Sequence, residues 1–281
     1  MTDARTILKR VGLSPKKSFG QNFLVAQHVV DAIARACVRD DEIGRARVLE
    51  LGAGLGVLTK ALAERSRVVV AVERDRDLVP VLAEELAPFV ESDRVRIVEG
   101  DAQAVDPKEL LGPAEEGSPR VLAGNLPYQI TGSLLERAVA HADDVDRVVF
   151  MVQLEVAERL AAPPGTKEYG ALTVFVRAAF RTTKLFDVSR GSFHPAPEVT
   201  SAVVLLEPRR PRLAEETDLF RALVKAAFGM RRKTLRNAWS RIAESARLAA
   251  AASAAGISLD ARGETLDVED FARMAAALSD A

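Results

Sequence analysis

Between residues 47 and 153, five short apolar runs alternate with stretches of helical spacing. That alternation limits the fold more than any other feature of the chain. The runs are RVLEL (47–51), VVVAVE (68–73), VRIVEG (95–100), RVLAGN (120–125) and RVVFMVQ (147–153). Each is short and apolar and reads as a buried strand. Between them, VLTKALAER (57–65) has helical apolar spacing, and helices are expected over 76–88 (with Asp75 as its cap), 132–141 and 154–162. Buried strands alternating with helices imply a mostly parallel sheet covered on both faces, an α/β architecture.

The ends of the chain read differently. KLFDVS (184–189) and TSAVVLLEP (200–208) are strands with no helix between them, which suggests an antiparallel pair at one edge of the sheet. PRRPR (208–212) reads as a linker, and 216–281 carries only helical patterns. The expected division is a basic amino-terminal arm (1–20), a sheet-containing domain (21–208) and a small all-α carboxy-terminal domain (213–281). The first 17 residues hold Arg5, Lys9, Arg10, Lys16 and Lys17 against Asp3 alone. Such an arm is either solvated or folds onto anionic nucleic acid.

Composition excludes several classes. With 39 Lys and Arg against 40 Asp and Glu, the net charge is −1, so any polyanion site must be a local patch. One cysteine, Cys37, allows neither an internal disulfide nor a multi-cysteine zinc site, which fits a reducing cytoplasm. His28, His141 and His194 lie far apart without metal-ligand spacing, so no metal is expected. The start lacks an apolar signal region and no run of 18 apolar residues occurs, so neither a signal peptide nor a membrane span is expected. The expectation is a cytoplasmic monomer.

The first strand runs into Glu50-Leu51-Gly52-Ala53-Gly54-Leu55-Gly56. Glycines permit a tight turn and direct contact between backbone and ligand. The spacing is G-x-G-x-G, not the dinucleotide G-x-G-x-x-G, and alone it also fits an ordinary strand–helix turn. Glu73 ends the second strand, where a carboxylate accepts both hydroxyls of an adenosine ribose. Asp101 follows the third strand and is placed to accept from an adenine amine. All three signals fall at carboxyl ends of strands, where open α/β sheets bind ligands. The layout resembles the Rossmann-like, S-adenosylmethionine-dependent methyltransferases.

The fourth strand ends in Asn125-Leu126-Pro127-Tyr128, preceded by Gly124. This resembles the motif of enzymes that methylate exocyclic amines of bases. An adenine amine is a poor nucleophile because its lone pair is delocalised into the ring. Acceptors on its hydrogens favour a tetrahedral nitrogen; the Asn125 side-chain oxygen and the Leu126 carbonyl are candidates. Pro127 constrains the turn, and Tyr128 is placed to stack on the base. Phe193, in the stiff segment Ser192-Phe193-His194-Pro195-Ala196-Pro197, either covers the other face of a flipped base or lies buried under its own loop. Residues 225–241 hold Lys225, Arg231, Arg232, Lys233, Arg236 and Arg241 with no acid. They form either a phosphate-contacting surface, together with Lys16 and Lys17 of the arm, or a solvated helix face.

Lys17-Ser18-Phe19-Gly20-Gln21-Asn22-Phe23-Leu24, the glycine loop, Asn125–Tyr128, Phe193–Pro197 and Phe228-Gly229-Met230-Arg231-Arg232-Lys233-Thr234-Leu235 occur in the order found in the ribosomal RNA adenine dimethyltransferases. Over about residues 16–240 the chain resembles the bacterial small-subunit branch of that family. The resemblance implies N6,N6-dimethylation of two adjacent adenosines in the 3′-terminal hairpin loop of 16S rRNA, within the 30S precursor, and a part in small-subunit biogenesis. It implies S-adenosylmethionine as cofactor. It also places Asn22 and Leu24 in the cofactor site beside Gly52, Gly54, Glu73, Asp101 and Asn125. Three readings compete: a 23S rRNA adenine dimethyltransferase of the Erm type, a non-catalytic RNA-binding assembly factor on the same fold, and a nicotinamide-dependent oxidoreductase. The Asn-Leu-Pro-Tyr form and the Arg-Arg-Lys-Thr-Leu segment favour the small-subunit enzyme over the first. The intact cofactor acids speak against the second, and the glycine spacing against the third.

Overall fold

The structure, a computed structural model, describes residues 4–280. The first three residues of the expected arm and the last of the helical domain lie outside the described residues. The strands are β1 (Phe23–Leu24), β2 (Arg47–Leu51), β3 (Val68–Glu73), β4 (Val95–Glu99), β5 (Arg120–Asn125), β6 (Arg147–Gln153), β7 (Phe180–Val188), β8 (Phe193–His194) and β9 (Ser201–Pro208). Among the described residues, seven of them form one sheet in the order β4-β3-β2-β5-β6-β9-β7. From β4 to β6 every neighbouring pair is parallel. The five apolar runs are these five strands. β9 lies antiparallel beside β6, with Ser201 opposite Gln153. The chain leaves β2 first to one side (β3, β4) and then to the other (β5, β6). The gap between the carboxyl ends of β2 and β5 is therefore the topological switch point, where such sheets bind ligands.

Gly124 shows why the switch point is tight. A Cβ on this residue would stand 2.7 Å from the Leu51 carbonyl oxygen and 2.8 Å from Leu126 Cδ2. Only glycine lets β5 lie this close to the end of β2.

The chain divides into two compact units. One comprises the residues up to Ala157 together with Thr183–Pro208; the other comprises Glu158–Thr182 and the residues from Arg209 onward. The sequence reading kept Glu158–Thr182 with the sheet, whereas the structure groups it with the helical unit. Helix Ala171–Ala179 explains the difference. Its Val174, Phe175 and Ala178 are buried in one cluster with Phe220, Leu223 and Val224, and the Phe175 and Phe220 rings meet edge to face at 6.2 Å. Trp239, fully buried in the same core, donates its indole N–H to the Leu223 carbonyl at 2.9 Å.

Two further expectations are corrected. The amino-terminal arm is not a free chain: Ala4–Val11 is a helix. Its Ala4, Ile7 and Leu8 are buried against Leu55, Leu78 and Val81, with Val11 packed alongside. The spacing i, i+3, i+4, i+7 is an apolar stripe that a count of charges overlooks. The single helix expected over 76–88 is two, Val79–Glu85 and Ala87–Glu91. Pro88 lacks the N–H that a continuous helix would need there.

Candidate functional site

The loop after β2 is built to bring backbone amides to a carboxylate. Gly52 and Ala53 donate their N–H groups to the Val72 carbonyl at 2.9 and 3.0 Å. Gly54 sits at φ +58°, and a Cβ there would lie 3.2 Å from the Phe23 ring. Its N–H donates to Glu73 Oε2 at 2.7 Å. Glu73 Oε1 accepts the Asp75 N–H at 2.7 Å. Burial pushes the Glu73 carboxyl pKa up, and these amides counter it only in part. Both Glu73 oxygens are thus oriented by backbone N–H groups. Asp101, just after β4, accepts the Gln103 N–H at 2.9 Å and stands 3.5 Å from the Arg74 guanidinium.

Asn125 closes β5. Its side-chain amide donates to the Asn22 carbonyl at 3.0 Å, and the Asn22 amide donates to the Gly20 carbonyl at 3.1 Å. One of the two N–H groups of the Asn125 amide is thereby occupied, which fixes the plane of the amide, and its oxygen remains an acceptor. Pro127 leads into a short turn in which its carbonyl accepts from the Ile130 N–H and the Thr131 hydroxyl, both at 3.1 Å. Half-buried Tyr128 holds its hydroxyl 2.7 Å from Ser201 Oγ. Burial raises the phenol pKa more than the Ser201 bond lowers it.

These residues share one cavity. Asn22, Leu24, Gly52, Gly54, Glu73, Asp101, Asn125, Leu126, Pro127 and Tyr128 all line it. Residues carried over from the family motifs and those reasoned from strand ends therefore converge. The cavity suits an adenosyl group: Glu73 offers two oriented oxygens to a diol, and bare Gly52 keeps the floor open. A Cβ at Gly52 would lie 3.9 Å from the Asn125 carbonyl oxygen and from Pro127 Cδ. Glu50, fully buried, also lines the cavity, and its Oε2 has no hydrogen-bond partner.

Phe193 departs from its expected place. It is 2% exposed, belongs to the core beneath the sheet, and sits opposite Leu24 in the β1–β8 pair. It does not line the cavity. Of the two expectations for Phe193, the burial fits the one that packs it beneath its own loop, and Tyr128 is the aromatic of the pair that lines this cavity.

The basic residues divide by role. Lys17 is exposed, whereas Lys16 is ion-paired to Asp75 and Asp77. In the helical unit, Arg231 donates to the Lys167 carbonyl at 2.8 Å and approaches Glu264 at 3.4 Å. Arg236 pairs with Asp260 at 3.4 Å. Arg232 and Lys233 are exposed, and their side chains make no hydrogen bond or ion pair among the described residues. Sequence reasoning missed the roles of Asp75, Gln21 and Ser201. Ser201 opens β9, and a polar residue there gives no sign of the tyrosine 73 positions away.

Among the described residues, no group of three or more His, Cys, Asp or Glu side chains is placed to hold a metal. No helix there is long and apolar enough to cross a membrane.

The chain is similar to known proteins over nearly its whole length. The profile of the family described as ribosomal RNA adenine dimethylase matches residues 12–280. A ribosomal RNA small subunit methyltransferase A from Anaeromyxobacter dehalogenans (strain 2CP-C) is 44% identical over 284 residues, covering 98% of this chain and 97% of the relative. Its counterpart from Geobacter metallireducens is 43% identical over 95% and 96% of the two chains. Among solved structures, a dimethyladenosine transferase from Plasmodium falciparum superposes with a TM-score of 0.72 at 25% identity, covering 90% of this chain and 95% of that one. The 23S rRNA methyltransferase ErmE gives 0.65 at 27% identity, covering 92% and 100%. With a family profile spanning nearly its whole length and relatives above 40% identity, the chain belongs to the ribosomal RNA adenine dimethylase family.

Proposed function

We propose that this protein dimethylates N6 of two adjacent adenosines in the 3′-terminal hairpin loop of 16S rRNA, with the 30S precursor in the cytoplasm as substrate and the protein acting as a monomer. The observation that carries the reading is the Asn125 amide. One of its N–H groups is held by the Asn22 carbonyl, and Asn125 lines the cavity that Glu73 and Asp101 also line. The small-subunit assignment is supported by relatives of that name at 41–44% identity, against 27% for ErmE.

Glu73 would hold the ribose hydroxyls of the cofactor, Asp101 would accept from its adenine, and the Gly52–Gly54 loop would bring bare backbone to it. S-adenosylmethionine, when bound, supplies an activated methyl group, so the protein needs neither a metal nor a covalent nucleophile. Its task is to orient the amine. Asn125 and the Leu126 carbonyl accept the two amine hydrogens and favour a tetrahedral nitrogen whose lone pair is available. Tyr128 stacks on the flipped base, an interaction worth roughly 1–3 kcal/mol. Lys17, Arg232 and Lys233 contact phosphates, with Arg231 and Arg236 beside them.

Base dimethylation blocks reverse transcription. Primer extension on rRNA from a deletion strain should therefore read through the 3′-terminal hairpin of 16S rRNA, and the restored gene should bring the stop back. A stop that returns on 23S rRNA instead would assign the enzyme to the large subunit.

A further inference from the structure

Lys16 sits in the basic arm, but its ammonium group turns inward. Lys16 Nζ lies 2.5 Å from Asp75 Oδ1 and 2.7 Å from Asp77 Oδ2. Asp75 Oδ2 accepts from Gln21 Nε2 at 2.7 Å, and Gln21 Oε1 accepts the Lys16 backbone N–H at 2.8 Å. Lys16 and Gln21 thus grip each other and the same carboxylate. The Phe19 ring lies between them in the chain, with Lys16 Nζ and the Arg74 guanidinium each 5.4 Å from its centroid.

Asp75 works in two directions. It is 3% exposed, and a carboxylate so buried needs charged or polar partners on its oxygens. Its side chain finds them on the 16–21 segment. Its backbone N–H, by contrast, donates to Glu73 Oε1. Phe19, Gly20, Gln21 and Asn22 line one side of the cofactor cavity, and Glu73 lines another. Asn22 continues the linkage, since its carbonyl holds the Asn125 amide.

We infer that Asp75 is a positioning residue that assembles the cofactor cavity: its side chain docks residues 16–22 through Lys16 and Gln21 while its amide aims Glu73. The inference rests on the cofactor reading given above. It also reassigns Lys16 from the RNA to the cofactor side of the reaction. Lys16 holds a wall of the cavity and does not touch phosphate.

The test uses the full chain and two independent readouts. In steady-state assays, Lys16→Met and Asp75→Asn should each raise KM for S-adenosylmethionine about tenfold. KM for the rRNA particle and its salt dependence should stay near wild type. Lys16→Arg should restore the cofactor KM. The double variant should be no worse than Asp75→Asn alone, because both changes break one linkage. In hydrogen exchange without any cofactor, Lys16→Met should speed exchange at Phe19 and Gly20, whose N–H groups bond the Lys16 and Lys17 carbonyls at 3.1 and 3.0 Å. Unchanged exchange at these amides would overturn the docking, and an unchanged cofactor KM would overturn the positioning role. Weaker particle binding with a flatter salt slope in Lys16→Met would make Lys16 a phosphate contact. Failure of the cofactor reading itself is seen separately, as wild-type protein that binds no S-adenosylmethionine by calorimetry.

Discussion

The hydroxyl of Tyr128 is bonded to the side chain of Ser201 at 2.7 Å, joining the turn after β5 to the first residue of β9. The ring proposed to stack on the base is therefore held at its far end by a fully buried serine. The hydroxyl matters through orientation. A net hydrogen bond of about 1 kcal/mol corresponds to roughly fivefold in rate. Tyr128→Phe and Ser201→Ala should each slow single-turnover methyl transfer by about that factor, and the double variant should be no slower. If Ser201→Ala is silent while Tyr128→Phe is slow, the phenol acts on the base directly.

Asn125 should behave differently, because its acceptor oxygen engages the amine most strongly as the nitrogen becomes tetrahedral. Asn125→Ala should reduce single-turnover transfer by roughly 10²–10³-fold, the usual scale for one transition-state hydrogen-bond partner. Particle binding should barely change. Mass spectrometry of digested rRNA should also find monomethyladenosine accumulating, since the second transfer uses the same acceptor. Normal transfer would leave Asn125 as a turn residue tied to Asn22.

Glu50 carries a proton into neutral pH. Burial raises its pKa to about 8, the Thr59 hydroxyl offsets this in part, and the charge of Glu73 adds to the rise. The folded state then binds a proton that the unfolded state has lost between pH 4.5 and about 8. Stability contributed by this group must fall as pH rises through that window, at up to about 1.4 kcal/mol per pH unit. Glu50→Gln should flatten the decline and raise the melting temperature at pH 8 more than at pH 5. A thermal-melt series across pH checks it; parallel curves for variant and wild type would place the proton elsewhere.

The basic segment of the helical unit should separate into two kinds of residue. Arg232 and Lys233 have no partner within the described chain, so removing both should flatten the salt dependence of particle binding by about one unit per charge. Cofactor affinity should not move. Arg231 holds the Lys167 and Tyr169 carbonyls at 2.8 and 3.3 Å. Arg231→Ala should therefore lower the melting temperature as well as particle affinity. Equal melting temperatures for Arg231→Ala and wild type would make that loop contact incidental.

That the strand-end residues line one cavity was legible in the sequence for a physical reason. Glycines after one strand and acids after the next two must meet, because parallel strands deliver their carboxyl ends to one edge. The same logic located Asn125 and Tyr128. It failed wherever the deciding partner was remote and carried no local pattern. Lys16 looked like a free cation because Asp75 is 59 residues away. Phe193 looked like a platform because a loop position gives no sign of the core behind it. Helix Ala171–Ala179 exposes little polar surface, so its sequence, ALTVFVRAA, carries no sign of which core receives it.

The reversed direction of β9 has a consequence for how the enzyme is divided. A parallel strand would begin at the edge of the sheet away from the cavity, and its opening residue would be remote from Tyr128. Running backwards, β9 instead brings Ser201, opposite Gln153 at the end of β6, to the working edge. The working edge is thereby reached from both directions: parallel β5 leads into Tyr128, and β9, running against β6, supplies the serine that fixes the far end of its ring.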